Sequence, residues 1–214
     1  QLTTLTSTAT GALTTVQVGA LTTTQLAAFT ALQLAGLTTT QVNAIAPTSL
    51  ASLSASAFKS LGSSIVSVMT TAQIANLSSA QLAGLTSSQI QGLSTDQVVA
   101  LTTTQMPNVN AAALAGFSTA QAQALETSDF TLLNATQLVA MSTAAVAALT
   151  TAQINGLTTS QISSMTIAHI GVLSADQVKA MSTGSLGALS ASQKSTLTDT
   201  QKAGLTSLQK SILG

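Results

Sequence analysis

The sequence predicts an all-α solenoid: a superhelix of short capped helices, one per eight-residue repeat. The first observation is the stretch from Met69 to Leu101, which reads MTTAQIAN, LSSAQLAG, LTSSQIQG, LSTDQVVA. Each unit has a large apolar residue at position 1, Ser or Thr at 2, Gln at 5 and Ile, Leu or Val at 6. The second is the frame. All 27 positions in steps of eight from Leu5 to Leu213 are apolar, with no insertion or deletion. The third is that a Ser or Thr followed three residues later by Gln is a capping box. The hydroxyl accepts from the N3 backbone N–H, and the Gln side chain reaches back to the N-cap N–H.

Taking position 2 as N-cap makes position 5 N3. It also puts positions 1 and 6 at N′ and N4, where apolar side chains form a hydrophobic staple. In the strongest block the capping residues are Ser78 with Gln81, Thr86 with Gln89 and Ser94 with Gln97. The repeat core is Leu77, Leu82, Leu85, Ile90, Leu93, Val98 and Leu101. One register satisfies both devices, so each octad reads as a helix start, with positions 3 to 8 helical.

The helix has to be short. In a continuous helix an apolar residue every eight positions drifts about 80° per repeat at 3.6 residues per turn, so no apolar face survives. Ser and Thr at positions 2 to 4 also favour helix starts over interiors. A β-solenoid is the alternative. As a strand, however, the octad places Leu with Thr, Gln and Ala on one side and Ile with Thr on the other, and neither face is apolar. Burying two large side chains per octad falls short of the entropy of ordering eight residues, so octads must stack on one another. Handedness and the number of octads per turn do not follow from the sequence.

Along the chain, residues 1–214 read as one continuous array. Gln1 and Leu2 already occupy positions 5 and 6 of an octad, which suggests a processed chain or a segment of a longer array. Residues 45–68 keep the frame but lose the Gln; Pro47 falls at N1, the helical site that favours Pro, and Phe58 takes position 6. Residues 101–132 also diverge. There Pro107 at position 7 should end a helix early, and Asn110 supplies an N-cap. Glu126 and Asp129 are expected to sit solvated at a helix start rather than to act as an acid/base or metal pair. His169, the single His, stands in the Gln position and reads as a capping substitute. Residues 189–214 place Lys194, Lys202 and Lys210 at position 6, so this stripe should meet water, as the polar terminal repeats of solenoids do.

Composition narrows the function classes. Charged residues make up 5% of the chain and the formal net charge is zero. This argues against nucleic acid, which is gripped through its phosphates by Lys and Arg. Without Cys there is no disulfide and no thiolate metal site. Mean hydropathy is +0.49, yet Ser, Thr and Gln interrupt every octad, and no apolar run approaches the ~18 residues of a membrane span. No catalytic, cofactor-binding or metal-ligating set is expected, so the chain does not read as an enzyme.

At LTTAQINGLTTSQI and LSSAQLAGLTSSQI the chain resembles the Ser/Thr/Ala-rich octad arrays of bacterial secreted and surface proteins, adhesin-like and filament-forming. That resemblance implies an extracellular or cell-surface structural role. LSTDQVVAL at Leu93–Leu101 looks like the opening of a TAL-effector repeat, but the longer repeat and its base-reading loop are absent. The expectation is therefore a rod, tube or filament subunit that associates with itself, without membrane insertion. The alternative is an adhesive or ligand-binding repeat surface for a glycan, ice or a partner protein.

Overall fold

The computed structural model of the protein describes residues 4–214, so Gln1 and Leu2 lie outside the described residues. The described residues form short α-helices, with a 3-10 turn at Met106–Asn108, and no strand occurs among them. The fold is an α-solenoid, and the β alternative does not occur.

The helices start and stop where the octad chemistry dictates. Thr71–Ala75, Ser79–Gly84, Ser87–Gly92 and Thr95–Val99 each begin at position 3, behind the extended N-caps Thr70, Ser78, Thr86 and Ser94. Each ends before the next position 1. Leu85, for example, returns to φ −58° and ψ 140° while its N–H still bonds the Leu82 carbonyl. No non-glycine residue among those described takes a positive φ, so the chain bends at each joint without a left-handed residue.

Two compact units divide the chain, residues 1–113 and 114–214. Within the first, Ser7–Gly11 packs on Ala31–Ala35, Ala55–Lys59 on Ser79–Gly84, and Ser63–Val66 on Ser87–Gly92. Within the second, Thr119–Ala124 packs on Thr143–Ala147, Thr151–Gly156 on Ala175–Ala180, and Thr183–Gly187 on Ser207–Leu213. The packed pairs within each unit lie three octads apart, so in both units three octads complete one turn. Backbones come close where the turns touch. A Cβ added to Gly36 would sit 2.9 Å from backbone carbons of Ser7, so only glycine fits there.

Three positions of the octad are buried. Position 6, from Val18 to Leu186, is 0–1% exposed and fills the inside of each unit's coil. Position 1 is buried from Phe29 to Leu205. Position 5 is buried wherever it is Gln from Gln33 onward. Divergent octads obey the same rules. Pro47 stands at N1 of Pro47–Ala51, Phe58 is fully buried, and the octad holding Pro107 has only a 3-10 turn in place of an α-helix. At the other end of the chain, Lys194 and Lys202 are half-buried and Lys210 is exposed, in a position that is otherwise sealed.

Candidate functional site

The residues that define this molecule chemically are the position 5 glutamines. Ser78 Oγ accepts the Gln81 N–H at 3.3 Å, and Gln81 Oε1 accepts the Ser78 N–H at 2.9 Å. Thr86 with Gln89 and Ser94 with Gln97 form the same reciprocal pair. Leu77, Leu82, Leu85, Ile90, Leu93, Val98 and Leu101 are all buried around them.

The amide nitrogen does something else. Gln81 Nε2 donates to the carbonyls of Leu50 at 2.9 Å and Leu53 at 3.1 Å, which lie 31 and 28 residues earlier. Gln73 Nε2 bonds Val42 and Ile45 at the same separations, and Gln105 bonds Ile74 and Leu77. In the second unit Gln153 reaches Ala122 and Leu125, and Gln193 reaches Ile162 and Met165. These carbonyls belong to the last turn and the joint of a helix one coil turn below, where intrahelical partners run out. One side chain therefore closes the start of its own helix and the end of another. The amide can be buried because its oxygen and both of its N–H groups are partnered.

Octads without Gln show what the position requires. His169 does not replace the capping function expected of it. Thr166 Oγ1 accepts the His169 N–H, but the ring makes no return bond to the Thr166 N–H. Instead Nε2 lies 3.0 Å from the Met141 carbonyl, 28 residues earlier, so the imidazole keeps the inter-turn contact and loses the cap. A carbonyl can only accept, so Nε2 carries the proton and Nδ1 is left buried without a partner.

Asp129 also departs from expectation. Glu126 is exposed at the N-cap and makes no side-chain cap bond, whereas Asp129 occupies the Gln position and is 3% exposed rather than solvated. Its Oδ1 has no hydrogen-bond partner, and burial, then the charge of Glu126, raises its pKa above the ordinary carboxylate value. A third octad compensates. Where Ala113 holds position 5, Asn110 donates from Nδ2 to the Ala83 carbonyl at 3.2 Å and from its backbone N to the Leu82 carbonyl at 3.4 Å.

Among the described residues no group of three or more His, Cys, Asp or Glu could hold a metal ion, and no helix is long and apolar enough to cross a membrane. The geometry defines a repeat protein of the α-solenoid class, in which Gln ties successive turns together. The sequence model of the ALTTAQ repeat family matches residues 75–109, 122–159 and 133–167, so these segments are similar to that repeat. Ala148 to Gln153 spells the family's hexapeptide, ending on a Gln whose side chain bonds both ways. No curated protein matches the chain.

Proposed function

We propose that the protein is a structural component, a rod, tube or filament subunit that acts outside the cell or at its surface and associates with copies of itself. One observation carries the reading: the chain's specific polar chemistry, the Gln amides, is consumed in holding its own turns together. What remains outside is a nearly uncharged Ser/Thr surface, and a net charge of zero offers little repulsion to lateral or end-to-end contact. No enzyme chemistry is assigned to it. Electron microscopy and sedimentation of the purified chain across concentrations test this directly. Concentration-dependent linear particles are expected, and a strictly monomeric protein at high concentration rejects self-assembly.

A second reading has one favourable observation. Thr39 and Thr40, Ser63 and Ser64, and Ser87 and Ser88 are exposed at the starts of helices that stack on one another in the first unit. Such a hydroxyl row suits a glycan or ice surface, and a glycan-binding screen with thermal-hysteresis measurements decides it.

A further inference from the structure

We infer that the first unit has a built-in opening seam, where the coil turn of residues 45–68 rests on residues 21–44 without a glutamine latch and parts from them first. The inference concerns the fold of this unit and stands apart from the proposed structural role.

Position 5 of the octads in 45–68 holds Ser49, Ala57 and Ile65. Nowhere else do three successive octads, one full turn, lack Gln at this position. A Gln there would donate to carbonyls 31 and 28 residues earlier, as Gln81 does to Leu50 and Leu53. The joint carbonyls left without that donor, those of Leu21, Phe29 and Leu37, accept no hydrogen bond from any described residue. Among the described residues one side-chain bond crosses the seam, from Ser52 Oγ to the Thr23 carbonyl at 3.3 Å. The same hydroxyl lies 2.6 Å from the Ser49 carbonyl, and its single proton favours that closer acceptor.

On both sides of the seam the latches are in place. Gln33 and Gln41 donate to the carbonyls of Leu5 and Leu13. Gln73, Gln81 and Gln89 donate to those of Ile45, Leu53 and Leu61. Packing follows the same order. Ala55–Lys59 and Ser63–Val66 meet Ala31–Ala35 and Thr39–Ala44 more sparsely than they meet Ser79–Gly84 and Ser87–Gly92. What closes the seam is mainly apolar burial, with Leu26, Leu34, Leu50 and Phe58 at most 1% exposed. Such contact is non-directional. Proteins open locally in cooperative units where such ties are fewest. Residues 21–44 therefore open as a block while residues 69–92 stay closed, and a pull along the coil of this unit is relieved at the seam.

Native-state hydrogen exchange on the 214-residue chain, read by mass spectrometry of its peptides, tests this. Amides of 21–44 should exchange together and at least about tenfold faster than those of 69–92, with a step across 45–68. Ala57→Gln rebuilds one latch, because Ser54 Oγ already accepts the Ala57 N–H and the Leu26 and Phe29 carbonyls lie 31 and 28 residues earlier. It should slow exchange of 21–44 at least about fivefold, the effect of two added hydrogen bonds, and leave 69–92 unchanged. Protection that is equal in the two segments, or that rises smoothly from 21 to 92 as fraying from an end would give, overturns the inference. So does an Ala57→Gln variant that exchanges like the parent. Should circular dichroism show that variant unfolded, the parent's profile decides alone: a step supports the seam, and a smooth rise rejects it.

Discussion

Gln81 Nε2 lies 2.9 Å from the Leu50 carbonyl, while the same amide's Oε1 lies 2.9 Å from the Ser78 nitrogen. A single side chain thus couples a local helix start to a backbone group 31 residues away.

Changing Gln81→Glu keeps the acceptor that caps the helix and removes the donor. A carboxylate would face the Leu50 and Leu53 carbonyls in a site that is 0% exposed. Loss of about 3–5 kcal/mol is expected, since an unpaired buried charge is left behind. Gln25, exposed and bonded only within its own octad, provides the control. Gln25→Glu should cost under about 0.5 kcal/mol, as surface substitutions do. Urea denaturation of both variants checks the contrast.

His169→Gln should stabilise the second unit. It restores the bond to the Thr166 N–H and removes the orphaned Nδ1, each worth on the order of 1 kcal/mol. A higher midpoint in thermal or urea unfolding is the expected outcome.

Asp129 sets a pH dependence. Its folded-state pKa is raised above 3.8, by burial first and by Glu126 second. A raised acid pKa means the protonated form is favoured in the fold. The favourable contribution is therefore complete below 3.8 and lost as pH climbs through the folded-state pKa. The stability advantage of Asp129→Asn over the parent should accordingly be smallest at acid pH, grow with pH and then level off. Denaturation at a series of pH values measures it.

Gly36 and Gly204 are both helix C-caps with φ near −80°. A Cβ on Gly36 meets the Ser7 backbone, whereas one on Gly204 comes no closer than 3.8 Å to the end of a Lys179 side chain. Gly36→Ala should therefore cost about 1–3 kcal/mol through overpacking. Gly204→Ala should gain about 0.4–1 kcal/mol by restricting the unfolded chain. Opposite shifts in unfolding midpoint are the expected readout.

What the sequence reveals divides along chain separation. Ser78 and Gln81 are three residues apart, so a helix start is visible in the octad itself. The bond from Gln81 to Leu50 spans 31 residues, and any octad could have been its partner. Three octads per turn was invisible for the same reason. One signal was present. Glu caps a helix as well as Gln does, yet no octad carries Glu at position 5. A requirement for an amide donor explains that choice. His169 and Asp129 depart from the expectation because position 5 is shaped by burial and the inter-turn contact as well as by capping.

Within each unit packed helices lie three octads apart, and cysteine cross-linking probes that stacking without interference because the chain has no Cys of its own. A Cβ on Gly84 would lie 3.6 Å from the Ala55 Cβ, inside the range a disulfide spans. Ala55→Cys with Gly84→Cys should oxidise readily in the folded protein, while Ala55→Cys with Gly92→Cys, one octad out of step, should stay reduced. Equal oxidation of the two double variants, or folded protein in which the Ala55→Cys, Gly84→Cys variant stays reduced, would contradict the three-octad turn.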